Sequence, residues 1–254
     1  MERDRFIKPL RTIGAAATSL PAREFSPAEK ERWRSVILGI YQKMRAKRRP
    51  YEIQCGDVCL TVLPNVYAPK FFTDSEWFAH QLPAIVGTGS LLEIGTGTGI
   101  IAIFCARNGA HVVATDINPD AVKNARINAA RHHLNISVRE GNLYEPIEPD
   151  EKFGFIFWAH PFNNWETPVQ DMLLRSGMDY HYEGLKGYIA GAKKHLDHNG
   201  KLLLGTGDSA DLKTIASLAK ENGYSLKLLR ETATSLEEEG NNMIKYLLYE
   251  FAPH

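Results

Sequence analysis

Cysteine is scarce in this chain: Cys55, Cys59 and Cys105 are the only three, and no Cys-x-x-Cys pair occurs. That excludes a disulfide framework and a cysteine zinc cluster, and no metal is expected. The expected strand pair holding Cys55 and Cys59, and the apolar helix holding Cys105, make them buried thiols in a reducing, cytoplasmic setting. No apolar run is long enough to span a bilayer. None follows the opening Met1-Glu2-Arg3-Asp4-Arg5 either, so that stretch does not read as a signal peptide. An excess of either charge is also missing: 30 Lys plus Arg meet 30 Asp plus Glu. The field that drives non-specific nucleic-acid binding is therefore absent overall. Neither a membrane nor a nucleic acid is expected as partner, and the oligomeric state is left open. Internal repeats and low-complexity tracts are absent as well.

What is present is an alternation. Residues 1–25 are mixed and predict an irregular arm or a short helix. Ser26, Pro27 and Glu29 then form a helix start with a capping box. Trp33, Val36, Ile37, Ile40 and Met44 repeat at helical spacing, and Pro50 ends the segment. The basic run Lys43, Arg45, Lys47, Arg48, Arg49 reads as a solvated helix end favoured by the dipole, in preference to a nucleic-acid patch. Tyr51–Cys55 and Val58–Leu63 around Gly56-Asp57 predict a β-hairpin, and Ser75–Leu82 a helix. From Leu91 onward strands and helices alternate. Strands are expected at 91–94, 111–115, 136–140, 153–158 and 201–205, and helices at 99–108, 120–132, 185–196 and 210–222. Tyr224–Glu231 and Met243–Phe251 predict a closing antiparallel pair joined by an acidic loop. This rhythm implies an α/β protein with a mostly parallel sheet covered on both faces.

The chemistry concentrates at strand ends. Leu91-Leu92-Glu93-Ile94-Gly95-Thr96-Gly97-Thr98-Gly99-Ile100 leaves a buried strand, turns through three glycines and opens a helix. Such a turn lets a ligand approach the backbone. Its Gly-x-Gly-x-Gly spacing differs from the Gly-x-Gly-x-x-Gly of dinucleotide loops. About twenty residues on, the second strand ends in Asp116, a carboxylate placed to accept both hydroxyls of a ribose.

The glycine turn resembles the first motif of class I S-adenosylmethionine (SAM)-dependent methyltransferases. The resemblance implies a Rossmann-like fold, a twisted sheet with a terminal antiparallel strand pair, and SAM as cofactor. It assigns Glu93, Gly95, Thr96, Gly97, Gly99, Asp116 and Ile117 to the cofactor, with Trp158 beside them. Asn142 stands where the pattern has an Asp for the adenine amino group, and the N–H of Leu143 follows it; an amide oxygen can still accept there. The hairpin, Asn65-Val66-Tyr67-Ala68-Pro69 and Asp74-Ser75 narrow the resemblance, over roughly residues 51–205, to the "small domain" branch. That branch includes release-factor glutamine and rRNA guanine methyltransferases.

In that branch the fourth strand ends in Asn-Pro-Pro-Tyr, which holds the target nitrogen. Here it ends in Ala159-His160-Pro161-Phe162. Alanine cannot accept a hydrogen bond from an amide or a base's exocyclic amine. Aromatic and His residues surround the position instead: Trp158, His160, Phe162, Trp165, Tyr180, His181 and Tyr182. His160 is expected as a general base, with Phe162, Tyr180 and Tyr182 steadying a sulfonium. Residues 1–63 are expected to form a helical lid with the hairpin, and residues 64–254 the SAM-binding catalytic domain. The first functional expectation is a methyltransferase acting on a small-molecule amine or amino acid in small-molecule biosynthesis. The second follows a looser similarity to azetidine-2-carboxylate synthases, carried by the lid helix, the lost Asn and the aromatics: closure of the SAM methionine chain on itself, releasing methylthioadenosine. The intact glycine turn and Asp116 argue against a non-catalytic binding protein.

Overall fold

The computed structural model describes residues 25–237 and 242–254. The arm expected over 1–25 falls outside these, apart from its last residue. Helix α1 (Pro27–Arg45) starts at the expected box: Ser26 Oγ accepts from Glu29 N, and Glu29 returns a carboxylate to Ser26 N. Its buried stripe is Ile37, Ile40, Tyr41 and Met44. Strands β1 (Tyr51–Cys55) and β2 (Val58–Val62) pair antiparallel as a separate hairpin.

Helix α2 (Asp74–Val86) carries Pro83 inside it and runs further than the sequence suggests. There follow β3 (Ser90–Ile94), α3 (Ile100–Arg107), β4 (His111–Asp116), α4 (Pro119–Arg131), β5 (Ile136–Glu140) and β6 (Phe153–Ala159). A short insertion comes next, with β7 (Asn163–Trp165), α5 (Met172–Arg175) and β8 (Met178–Tyr180). The chain closes with α6 (Glu183–Ala192), β9 (Leu196–Gly207), α7 (Leu212–Glu221), β10 (Tyr224–Ser235) and β11 (Met243–Pro253).

Seven strands make one sheet in the order β10-β11-β9-β6-β3-β4-β5. β3 to β6 and β9 run parallel, while β11 inserts antiparallel between β9 and β10. Among the described residues the buried side chains form two clusters. One joins the sheet to α1, the hairpin, α2, α3 and α4; the other joins it to α6 and α7. Strand order reverses between β3 and β6, and in doubly wound sheets the crevice beyond the carboxyl ends of the strands at that point takes the ligand.

Two departures bear on the site. The insertion β7-α5-β8 had no sequence signal, because three-residue strands are too short to show periodicity. The predicted helix 185–196 starts earlier and ends at Ala192, after which the chain turns directly into a twelve-residue β9. Strand β10 likewise continues to Ser235, and residues 238–241 of the acidic loop lie outside the described residues.

The hairpin is not left hanging. Asn124 and Asn128 of α4 are fully buried, and both Nδ2 atoms donate to Thr61 O, at 2.7 and 2.8 Å. Their Oδ1 atoms accept from Leu63 N and Thr61 N. Asn128 Nδ2 also reaches Thr98 O in the glycine turn. Among the described residues, no helix is long and apolar enough to cross a membrane.

Candidate functional site

The carboxyl ends of β3, β4, β5 and β6 open onto a cavity of about 530 Å³, within the usual range for a ligand pocket. The glycine turn forms one wall. Gly95, Gly97 and Gly99 have φ of 66°, 56° and 83°, in the left-handed region where a Cβ is strained. A Cβ on Gly95 would lie 2.8 Å from Trp158 Nε1, so the indole packs against the turn. On Gly97 the nearest heavy atom would be Tyr67 O at 3.9 Å, which leaves that part of the turn approachable.

Asp116 ends β4 beside the turn. Its Oδ2 accepts from Gly97 N and its Oδ1 from Asn118 N, both at 2.9 Å. Burial pushes its carboxyl up to about 6, against the pull of those N–H groups. Glu93 lies beneath, 2 % exposed, and accepts from Thr96 Oγ1 at 2.8 Å. Burial pushes it up to about 8. Near neutral pH it is therefore mostly protonated, and it shapes the turn through that hydroxyl.

Ile117, Asn142 and Leu143 also line the cavity. Asn142 is exposed, and its N–H is taken by Glu145 Oε2. Leu143 sits at φ 51°. Trp158, Ala159 and Pro161 supply the end of β6, and the insertion adds Arg175, Asp179 and Tyr180. A nucleoside fits this donor set. A wall with no side chain at Gly97, a carboxylate at the strand end and a cavity of this volume are what an adenosyl group needs.

The aromatic and His residues divide. Tyr180 lines the cavity, but His160, Phe162 and Tyr182 do not. His160 is 1 % exposed; its Nε2 meets Thr206 Oγ1 at 2.9 Å. Burial drives its ring down to about 3, so it stays neutral and is a weak proton acceptor. Together with Phe162 it lines a separate space of about 30 Å³ behind the cavity. The expectation of a general base at His160 is corrected accordingly: its ring is buried on Thr206, outside the lining that Trp158, Ala159 and Pro161 provide.

Tyr182 is also corrected. His181 and Tyr182 adopt φ of 47° and 53°, a kink that sends the Tyr182 ring inward. There it is fully buried, donates to Phe162 O at 2.8 Å and accepts from Asp211 N. It braces the insertion.

Two buried acids that received no role from the sequence line the cavity. Asp179 fixes the start of α6, accepting from Gly184 N and Leu185 N. Asp74, at the start of α2, accepts from Tyr67 Oη at 3.0 Å and Ser75 N at 2.7 Å. Asp74 lines both spaces. An acid ahead of an apolar helix ordinarily reads as a helix-start charge, so its burial could not be anticipated. Helix α1 closes this side. Tyr41 Oη shares a 3.0 Å hydrogen bond with Ser176 Oγ, and its ring lies 5.5 Å from Phe72 and 6.4 Å from Tyr67.

Residues 57–228 match the methyltransferase small domain family. The chain is 33 % identical over 147 residues to the ribosomal protein L11 methyltransferase of Lactobacillus johnsonii, covering 57 % of this chain and 40 % of that protein. It is 32 % identical over 159 residues to the ribosomal RNA small subunit methyltransferase C of Aeromonas hydrophila, covering 61 % and 42 %. The chain thus spans less than half the length of these curated relatives. The T. thermophilus 16S rRNA N2 G1207 methyltransferase, solved with AdoMet and guanosine, superimposes with a TM-score of 0.58 over 80 % of this chain and 50 % of that one, at 18 % identity.

These relatives overturn one expectation. They are named for a ribosomal protein and a ribosomal RNA, against both the small-molecule acceptor and the expectation that nucleic acid is not a partner. A zero net charge is an average over the whole surface and does not describe a local patch. The chain belongs to the methyltransferase small domain family, on the class I Rossmann-like fold.

Proposed function

We propose that the chain methylates a side-chain amine presented by a protein. The observation that carries this is the lining of the cavity: Asp74, Asp116, Asp179 and Glu183 face it, with Arg175 the one cation among the described lining residues. Such a surface suits an entering ammonium and a sulfonium. Ala159 offers no amide to hold a planar amide or base edge, which favours an amine.

In this reading Gly95, Thr96, Gly97 and Gly99 shape the turn under the adenosyl group, and Glu93 holds the turn through Thr96. Asp116 takes the ribose, Asn142 and Leu143 the adenine, Ile117 packs beside it, and Trp158 floors the pocket. SAM supplies an electrophilic methyl on a sulfonium. Tyr180 and Pro161 flank the acceptor's path. Of the expected lid 1–63, residues 1–24 lie outside the described residues; α1 acts as the lid on residues 64–254, keeping water from the sulfonium side. Three cysteines that form no disulfide among the described residues support a cytoplasmic setting.

A second reading is favoured by the same Ala159 together with the α1 roof: displacement within SAM itself, giving azetidine-2-carboxylate and methylthioadenosine. Methyl-labelled SAM, incubated with the enzyme and separately with ribosomal protein, with rRNA and with nothing else, decides. The proposal expects label in protein and S-adenosylhomocysteine as product. Label in rRNA alone refutes the protein acceptor. Methylthioadenosine from SAM alone, above the no-enzyme rate, selects the second reading.

A further inference from the structure

Four buried acids border the cavity, and three have their charge settled by the protein. Asp116 and Asp179 each have both oxygens occupied by backbone N–H groups. Glu93 is pushed up to about 8 and is mostly neutral. Asp74 differs. It is 6 % exposed, and no ion pair reaches it among the described residues. Its hydrogen bonds from Tyr67 and Ser75 all fall on Oδ1, which leaves Oδ2 free to accept. With its carboxyl near 6 it remains mostly an anion at neutral pH.

A buried anion without a cation is costly. Arg175, the cation that lines the same cavity, acts on Asp179 instead. The surroundings of Asp74 are aromatic: Tyr67 and Phe72 stack at 5.1 Å with their planes 2° apart, and Tyr41 leans on both. The stack holds Tyr67 in place, its hydroxyl fixes Oδ1, and the open Oδ2 selects an ammonium over a neutral group.

We infer that Asp74 is the subsite for a primary ammonium group in the cavity, with Tyr67 orienting its carboxylate. The inference rests on the reading that this cavity holds SAM. Two sources carry that chemistry, the α-ammonium of SAM's methionine tail and the amine of the acceptor. The subsite ranks molecules by that ammonium, a specificity that the lost Asn at position 159 no longer provides.

The test is calorimetry on the full chain and on Asp74→Asn. The probes are S-adenosylhomocysteine, its deamino analogue, and propylammonium added to protein saturated with S-adenosylhomocysteine. If the tail is the source, the wild-type chain prefers S-adenosylhomocysteine to the deamino compound by about tenfold or more. The Asn variant then binds the two within about twofold, with deamino affinity unchanged. If the acceptor is the source, that preference is the same in both proteins. Propylammonium then binds the loaded wild-type chain and not the variant. Unchanged behaviour in both arms overturns the inference. A wild-type chain that binds neither nucleoside removes the SAM reading itself, and the inference with it. Should Asp74→Asn not fold, Asp74→Glu serves: its carboxylate sits one methylene further out and must alter one of the two selectivities, and no alteration overturns the inference.

Discussion

Replacing Glu93 by Gln should make stability respond differently to pH, and the size of the effect follows from burial. In the folded protein the Glu93 carboxyl is pushed from 4.5 to about 8, mainly by desolvation and further by the charge of Asp116. Its folded value lies above its unfolded value, so the folded state holds the proton more tightly. The stability it contributes is complete below about 4.5, falls as pH rises, and is fully lost above about 8. Near pH 7 the medium lies about 2.5 pH units above the unfolded value. At ~1.4 kcal/mol per unit, the wild-type chain has lost about 3 kcal/mol there relative to acid.

Gln is neutral at every pH and keeps an oxygen for the Thr96 hydroxyl. Any misfit of its amide is a constant. Asp74, whose carboxyl is also raised to about 6, is present in both proteins and cancels in the difference. Urea unfolding of both proteins without SAM, from about pH 5 to pH 8, is the assay. Glu93→Gln should gain on the wild type steadily with pH, by a total of the order of 3 kcal/mol. Parallel curves would show that Glu93 is already ionised when folded, and the account of the turn would fail.

Asp116→Ala removes the charged acceptor of Gly97 N–H and Asn118 N–H and the proposed ribose ligand; SAM affinity should fall by at least about tenfold, ~1.4 kcal/mol, and unchanged calorimetry would refute the ribose assignment. Gly177→Ala should loosen α1, because an added Cβ overlaps the Tyr41 hydroxyl and displaces it from Ser176; limited proteolysis after Arg45 should speed up, and no change would mean that α1 is held elsewhere. Removing residues 1–48 exposes the groove that takes Ile37, Ile40, Tyr41 and Met44. A folded but slow enzyme is expected, full turnover would refute the lid, and an insoluble product would place α1 in the core.

The glycine turn, Asp116 and the order of strands were legible because each rests on a local rule. A buried strand reads as an apolar run, a turn as glycines, and a strand-end acid by its distance from that turn. His160 and Tyr182 were misplaced for a different reason. Their identities suggest chemistry, but direction is set at His160 by burial against Thr206 and at Tyr182 by two successive left-handed residues, His181 and Tyr182. Neither residue type advertises that conformation. Asp74 was visible only as a residue of the family pattern. Its burial comes from α1 and the Tyr67–Phe72 stack, which meet it across 33 residues of chain in the case of Tyr41. The insertion carrying Tyr180 and Asp179 is held by a parallel ladder of three residue pairs, too brief to leave a pattern.

The two buried asparagines of α4 act as a borrowed strand. A primary amide carries the donor and acceptor of a peptide group, so Asn124 and Asn128 complete the outer ladder of β2 without any backbone beside it. This protects the molecule against itself. Exposed strand edges recruit other chains, and here the edge is sealed by side chains that one base change can remove. Substitution at either position therefore leaves more than a weakened hairpin. It opens a template for intermolecular β-pairing next to the ligand turn, through the Asn128 bond to Thr98. Loss of function at these sites would then take the form of self-association, with an active centre whose own residues are all intact.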